Sequence, residues 1–328
     1  MTRRLLRLIF VFILLILVPA GGILSWGYAQ FTRPGQQAFD QTVVLTKGQG
    51  LKEIAAQLAK SGVISNQLVF RVGVRFGGWS RDLRAGEFRF PTGTSIRDAV
   101  AILRKGITVV RRVTIPEGLS TIRVVKILRR TEGLRGDIQQ IPGEGTLLPD
   151  TYHFSHGDER AAVLHRMVEA MNVTTAKLWA AREQGLPLAT VQDAVILASI
   201  VEKETSLREE RARVAGVFIN RLRRGMRLQS DPSVVYGLTH GAGPLGRPLR
   251  RADLKQDTPY NTYRLAGLPP APISNPGRAA LHAVLHPTAG KDLYFVADGT
   301  GGHAFAATFA EHKRNVKRWR RIKAKQYK

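Results

Sequence analysis

Hydrophobic and polar positions are distributed unevenly at the start of the chain. Residues 8–28 form an uncharged, largely apolar run, and three arginines stand just before it, within residues 1–7. About 20 apolar residues in a helix cross the hydrocarbon core of a bilayer, and basic flanks favour the cytoplasmic side. The pattern therefore predicts a transmembrane helix over 8–28 and a cytoplasmic N-terminus over 1–7. The small residues at 18–21 leave open a cleaved signal peptide instead.

After a short polar linker, predicted over 29–40, two segments share one pattern. In each, a strand-like stretch precedes a glycine, Gly48 or Gly93, and an amphipathic helix follows. Apolar positions three and four residues apart favour a helix, and glycine favours the turn before it. The pattern predicts a small α/β module over 41–109. It resembles LysM, a module that recognises N-acetylglucosamine polymers, and it is equally typical of a plain α/β spacer.

The pattern of apolar positions changes near residue 110. Alternating apolar positions predict a strand around Val110, and longer periodic stretches predict helices at 122–130, 159–184, 191–206 and 209–224. Prolines and glycines concentrate in the last third, which we expect to be rich in loops and to end in a basic helix from Thr308 onward. The sequence thus predicts an α+β fold, with an N-terminal transmembrane helix, a small α/β module and a larger mixed α/β domain with a helical core over 110–328.

The predicted helix at 191–206 carries the clearest chemical signal. Thr190 and Asp193 have the spacing of an N-terminal cap, and residues 194–201 are apolar apart from one serine. Such a helix is buried on nearly every side, and Glu202 follows directly at its C-terminal end. Burial and the negative end of the helix dipole both raise the pKa of a carboxyl group, as a general acid near neutral pH requires. An ordinary helix end that emerges into solvent is the alternative.

Composition and charge narrow the range of partners and cofactors. The 328-residue chain has a formal net charge of +25 and a pI near 11.1, and it contains no cysteine. Such a charge is typical of proteins that meet nucleic acid, an anionic membrane surface or an acidic polymer. Because the N-terminal segment directs the rest of the chain out of the cytoplasm, we expect no nucleic-acid partner. Thiol chemistry is excluded, and the scattered histidines show no metal-ligand spacing, so we expect no metal and no other cofactor.

A series of longer motifs runs in order through the larger domain. It includes Glu144-Gly145-Thr146-Leu147-Leu148-Pro149-Asp150, Ala198-Ser199-Ile200-Val201-Glu202-Lys203-Glu204-Thr205, Leu228-Gln229-Ser230-Asp231-Pro232, Tyr260-Asn261-Thr262-Tyr263 and Gly301-Gly302-His303-Ala304-Phe305. The series resembles the YceG-like family, the endolytic murein transglycosylases, and the resemblance covers essentially the whole chain. Ala271 stands where this family usually has glycine, and Ser233 where threonine is usual.

The resemblance implies a catalytic role for Glu202 in the larger domain. Enzymes of this kind are lyases that cut the MurNAc-GlcNAc bond of nascent peptidoglycan strands and leave 1,6-anhydroMurNAc ends. The resemblance implies that the chain ends the elongation of glycan strands and works beside peptidoglycan synthases. The implied location is the bacterial inner membrane, with a single-pass anchor and the catalytic domain in the periplasm. A non-catalytic glycan-binding envelope scaffold and a muramidase-type hydrolase are the alternatives.

Several further residues are weaker candidates for the site. Glu204 is the next acid on the helix, although its position two residues on points it to a different face. Asp231 before Pro232 either orients a substrate or starts a turn. Amides and phenols that could bind sugars, or that could equally be satisfied polar groups of the core, occur at Asn220, Gln229, Tyr260, Asn261 and Tyr263. His303 follows two glycines and is a candidate for closing a cleft.

Overall fold

The computed structural model describes residues 3–326, which contain eleven α-helices and six short strands. The helices are α1 (Arg3–Thr32), α2 (Leu51–Lys60), α3 (Gln67–Phe76), α4 (Ile96–Lys105), α5 (Thr121–Arg130), α6 (Arg160–Ala180), α7 (Val191–Glu204), α8 (Arg208–Arg223), α9 (Asp231–Thr239), α10 (Arg278–Leu285) and α11 (Phe309–Gln326). The strands are β1 (Gln41–Leu45), β2 (Gly86–Phe90), β3 (Val110–Thr114), β4 (Thr151–Ser155), β5 (Tyr294–Ala297) and β6 (His303–Ala306). They form three two-stranded sheets, β1-β2, β3-β4 and β5-β6. This mixture of helices and short sheets confirms the predicted α+β class.

The described chain divides into two compact units. One comprises the described residues up to Arg111 together with Phe154–Gly157. The other comprises Arg112–His153 and the described residues from Asp158 onward.

Helix α1 is long and apolar enough to cross a membrane. Its apolar part runs over Leu6–Thr32, with a mean hydropathy of 2.8 in its most apolar window. The predicted span 8–28 lies within it, and residues 1 and 2 of the predicted cytoplasmic segment lie outside the described residues. The helix extends four residues into the predicted linker and ends before Pro34, because the residue preceding a proline disfavours helical backbone. By length and composition, α1 therefore fits a single-pass anchor.

The rest of the first unit is built around an antiparallel pair of strands. Strands β1 and β2 pair from Gln41 opposite Phe90 to Leu45 opposite Gly86, and α2 and α3 connect them. The two similar segments become β1-turn-α2 and β2-turn-α4, with positive φ at both turn glycines. Helix α3, which starts where Asn66 accepts hydrogen bonds from two backbone amides, was not predicted. The LysM-like character of this module stays a prediction.

The second unit has helix α7 at its centre. Residues 194–201 are all buried, and α7 packs against α6, α8, α9 and α10. Thr190 and Asp193 form the predicted capping box, in which each side chain accepts a hydrogen bond from the other residue's backbone amide. Helices α5 to α8 match their predicted ranges to within four residues at each end. The burial of α7 fixes where the side chains at its C-terminal end emerge.

Candidate active site

A loop formed by residues 273–277 is held against the C-terminal half of α7. The hydroxyl of Ser199 accepts a hydrogen bond from the Ile273 amide at 3.0 Å and donates one to the Ile196 carbonyl at 2.7 Å. Ser274 donates to the Ser199 carbonyl at 3.2 Å. The single polar residue within the apolar run of α7 is therefore fully bonded, as a buried hydroxyl must be.

Asn275 ties this loop to a second one, residues 116–120. Its backbone amide donates to the Leu119 carbonyl at 2.9 Å, and its carbonyl accepts from the Gly118 amide at 3.0 Å. Its side-chain amide donates to the Leu119 carbonyl and to Glu144 Oε1, and its Oδ1 accepts from the Leu147 amide at 2.9 Å. Asn275 is completely buried. The two loops are thus fixed as one rigid frame beside the end of α7.

Glu202 is enclosed by this frame and by α8. Its Oε2 accepts a hydrogen bond from the Gly277 amide at 2.9 Å, and its Oε1 lies 3.2 Å from Nη2 of Arg211. The Glu202 side chain is 4% exposed and that of Arg211 7%. The same Nη2 lies 3.3 Å from Oε2 of Glu117, whose side chain is 42% exposed. Glu202 therefore shares a buried guanidinium with a second, more exposed carboxylate.

The surroundings of Glu202 act on its pKa in opposite directions, and the net effect is upward. Burial is the largest influence and raises the pKa, and the negative charge of Glu117 acts in the same direction. The Gly277 amide, Arg211 and Lys203 favour the carboxylate and lower it. The predicted raised pKa is confirmed, with desolvation as its main cause. A carboxyl group in this state holds its proton to higher pH than an exposed glutamate does.

A cleft of about 680 Å³ opens beside Glu202. Its volume lies within the range of about 300–1,000 Å³ that is usual for ligand pockets. Gly118 and Lys203 belong to its wall, together with Asp231 and Tyr236. Glu202 lies directly behind this wall, because a β-carbon added at Gly118 would stand 3.4 Å from Cγ of Glu202. The bare backbone at Gly118 is therefore the part of the wall nearest to the buried acid.

Glu204 occupies different surroundings from Glu202, as its position on the helix predicts. Its Oε1 accepts a short hydrogen bond of 2.5 Å from the Ser230 hydroxyl. Burial raises the pKa of Glu204 to about 7, and the charge of Asp231 adds to this. Like Glu202, Glu204 does not itself line the cleft. Its role as the alternative acid stays a prediction.

Asp231 is the predicted polar residue that reaches the cleft. It is the first residue of α9, so both of its predicted roles, at a turn and at a substrate site, fit its position. Its Oδ1 accepts a hydrogen bond of 2.6 Å from the Tyr263 hydroxyl. Tyr260 packs edge-on against Tyr236, with ring centroids 4.8 Å apart. Tyr263 and Tyr260 thus support residues of the cleft wall.

The remaining predicted residues have structural partners elsewhere in the second unit. Asn220 donates to the Gly290 and Asp292 carbonyls, and the buried Asn261 donates to the Leu254 and Gln256 carbonyls. Gln229 is exposed, has a positive φ of 51°, and donates its backbone amide to the Thr262 carbonyl. His303 begins β6 and its Nδ1 lies 2.7 Å from Glu210. Their roles in binding or closing the cleft stay predictions.

Several residues of this site were missed by the sequence reasoning: Glu117, Arg211, Asn275, Gly277 and Glu144. Glu144 is half-buried with a raised pKa, caused mainly by desolvation, and it accepts hydrogen bonds from Thr121, Asn275 and Tyr236. Glu144 is the first residue of the motif over 144–150, and its place in that motif was the signal in the sequence that could have found it. Within residues 3–326, no group of three or more His, Asp or Glu is arranged to hold a metal ion. The expectation of a site without metal stays a prediction.

Comparisons with known proteins agree on one family. A model of the YceG-like family matches residues 43–318. A protein of Streptococcus pneumoniae strain D39 named endolytic murein transglycosylase is 28% identical over 93% of this chain. The chain spans 63% of that relative's length. A Bacillus subtilis protein of the same name is 29% identical, and the alignment covers 82% of each chain.

A solved structure shares the fold. The crystal structure of a yceG-like protein from Listeria monocytogenes superposes with a TM-score of 0.51 at 29% sequence identity. The match covers 84% of this chain and 98% of the Listeria chain.

Proposed function

Because the chain belongs to the YceG-like family, we propose that it is an endolytic peptidoglycan lytic transglycosylase. In this proposal it is a lyase that cuts the MurNAc-GlcNAc bond of glycan strands and leaves 1,6-anhydroMurNAc ends. Relatives named for this activity support the assignment. The observation that carries it is one buried carboxyl group, Glu202, with a raised pKa directly behind the wall of a cleft.

In the first step Glu202 acts as the acid. Its carboxyl proton moves to the glycosidic oxygen as the bond from that oxygen to C1 of MurNAc breaks. Burial favours the protonated form of Glu202 before the sugar arrives. The carboxylate that forms is stabilised in place by the Gly277 amide and by the Arg211 guanidinium, which need no reorientation because the two loops and α8 already fix them.

In the second step the same group acts as the base. The Glu202 carboxylate takes the proton from the 6-hydroxyl of the MurNAc ring, and the oxygen bonds to C1 to close the anhydro bridge. The proton returns to Glu202, so no water is consumed and no second carboxylate is required. An ordinary glycosidase needs that second carboxylate to activate water or to act as nucleophile. An attacking group on the same ring reacts at little further entropic cost.

The location and partners follow from the anchor and the proposed substrate. Helix α1 would hold the chain in the bacterial inner membrane in a single pass, with the catalytic domain, 110–328, in the periplasm. Three arginines before the apolar run support this orientation. The enzyme would act on nascent strands beside the peptidoglycan synthases and end their elongation. The LysM-like module, 41–109, would contribute binding to the glycan.

The test compares full-length wild type, Glu202→Gln and Glu204→Gln on purified glycan strands. Wild type should release fragments with 1,6-anhydroMurNAc ends, and mass spectrometry detects them by their mass. Glu202→Gln should lower the rate by at least about a hundredfold, the usual contribution of general acid-base catalysis. Glu204→Gln is the matched control, since it changes the same residue type on the same helix but leaves the contacts of Glu202 with Arg211 and the Gly277 amide in place.

The products decide between this proposal and its alternatives. Fragments with reducing muramic acid ends, heavier by one water, would identify a hydrolase. Binding to strands without release of fragments by wild type would identify a scaffold. Equal activity of wild type and Glu202→Gln would refute the role of Glu202.

A further inference from the structure

The wall of the cleft contains two cationic side chains that form no salt bridge within the described chain. Arg123, on the first turn of α5, and Lys203, on the last turn of α7, both line the cleft. Lys203 Nζ donates to the Gly118 carbonyl at 3.3 Å, and within residues 3–326 no carboxylate lies within 4.0 Å of either cationic group. After desolvation, the charge of Arg123 lowers the pKa of Lys203, and the charge of Glu202 raises it. Two like charges are thus brought together on one face of the cleft.

The other charged residues of the wall are already engaged. Arg247 makes a two-pronged ion pair with Asp253, at 2.6 and 2.9 Å. Asp231 accepts the hydrogen bond from Tyr263. Arg123 and Lys203 are therefore the cationic groups of the wall, within the described chain, that are not committed to a salt bridge.

The position of Lys203 relates this charge to the bond that would be cut. A β-carbon added at Gly118 would stand 3.4 Å from Cγ of Glu202 and 3.4 Å from Cδ of Lys203. The acid and the lysine therefore flank the same bare stretch of backbone. An anion held by Lys203 would belong to a sugar unit at or next to the one that Glu202 protonates.

We propose that Arg123 and Lys203 form a subsite for a carboxylate carried by the substrate beside the scissile bond. This rests on the proposed function, and it adds which part of the strand is recognised. MurNAc differs from GlcNAc by its lactyl group at C3, which ends in a carboxylate in peptide-free strands. In strands with stem peptides that carboxylate is an amide, and the acidic groups of the peptide take its place. The shared chemistry is a carboxylate, which two adjacent cations recognise through charge-assisted hydrogen bonds.

A purely structural role for Lys203 gives a different expectation. Its charge also lowers the pKa of Glu202, so its removal could slow proton transfer to any strand. That effect would be equal for charged and neutral substrates and would appear mainly in kcat. A carboxylate subsite makes the loss depend on the carboxylate and places it mainly in KM.

The experiment measures kcat and KM for full-length protein on three kinds of strand. These are peptide-free strands with lactyl carboxylates, the same strands with those carboxyl groups reduced to alcohols, and strands that keep their stem peptides. The variants are Arg123→Met, Lys203→Met and the double variant, with Lys126→Met as matched control. Lys126 is an exposed cation on the same helix as Arg123, three residues on and outside the cleft wall. Unfolding temperatures verify that each variant is folded.

For wild type we expect kcat/KM to be about tenfold higher on a carboxylate-bearing strand than on the reduced strand, and the double variant should lose this preference. The preference should weaken as salt is added, and Lys126→Met should keep it. A preference confined to peptide-free strands identifies the lactyl carboxylate, and one confined to peptide-bearing strands identifies the stem. Equal losses on charged and reduced strands would overturn the subsite. Failure of wild type to cut any strand would refute the proposed function instead.

Discussion

Replacing Glu204 by glutamine removes a buried titratable group and keeps an acceptor for the Ser230 hydroxyl. Burial raises the pKa of Glu204 from its ordinary value of 4.5 to about 7, with a further contribution from Asp231, while Ser230, His303 and Arg221 oppose the rise. The difference between these two pKa values corresponds to roughly 3 kcal/mol of preference for the neutral form in the folded protein. The Glu204→Gln variant has no group that titrates at this position. The difference in stability between wild type and this variant, followed over pH, therefore isolates the effect of the Glu204 proton.

The sign follows from proton binding in the two states. Between pH 4.5 and about 7 the unfolded chain releases the Glu204 proton while the folded chain keeps it. Stability therefore falls as pH rises through this window, and the contribution is lost fully above the folded pKa. Glu202 and Glu144 also have raised pKa values, but both variants share them. We expect the unfolding temperature of wild type to fall, relative to Glu204→Gln, by roughly 6–12 °C between pH 4 and pH 8.

The assay is thermal unfolding of detergent-solubilised full-length protein at steps of pH, with both variants in the same buffers. Parallel curves for wild type and Glu204→Gln would refute the reasoning, because they would mean that Glu204 titrates alike in both states. A wild-type curve that gains stability with rising pH would refute it as well. In that case Glu204 would be held as a carboxylate, and its 2.5 Å hydrogen bond with Ser230 would be its main stabilisation.

Three further predictions concern the surroundings of Glu202 and one buried amide elsewhere in the second unit. Gly118→Ala should cost about 1–2 kcal/mol of stability because its φ is +73°, and it should also lower kcat because the added methyl group would contact Glu202. Gly185→Ala, with a φ of +72° and open space around it, should cost stability alone, and unfolding and rate measurements separate the two effects. Arg211→Met should destabilise the protein by about 1–3 kcal/mol, because Glu202 and Glu117 lose the hydrogen-bond donor that they share, and an unchanged unfolding temperature would contradict this. Asn261→Ala should cost about 1–3 kcal/mol by leaving two carbonyls unbonded, and unchanged stability would mean that water replaces them.

The sequence predicted the features that depend on neighbouring residues. The cap at Thr190, the burial of residues 194–201 and the emergence of Glu202 at the end of α7 follow from spacing within a single helix. The raised pKa of Glu202 follows from the same burial. The two β-turn-α segments were visible because a glycine and an amphipathic period recur together.

The partners of Glu202 could not be predicted in this way. The Gly277 amide comes from 75 residues further along the chain, and Arg211 comes from the next helix. Arg211 looked like one of many basic residues in a chain of net charge +25, although it is buried. The amides at Asn220 and Asn261 had the right chemistry for sugar binding, but the carbonyl groups that they bond were not visible in the sequence. Residue type alone does not distinguish a buried structural amide from a ligand contact.

The pairing of Arg211 with two carboxylates suits a group that must act as both acid and base. When Glu202 is protonated, a buried guanidinium with no other partner would be costly, and Glu117 supplies that partner at 3.3 Å. When Glu202 is charged, Arg211 and the Gly277 amide stabilise the carboxylate. The negative charge of Glu117 also raises the pKa of Glu202. Glu117 therefore pairs with Arg211 while Glu202 is protonated, and it favours the return of the proton when Glu202 is charged. A proton can therefore leave and return without an unpaired buried charge at either stage.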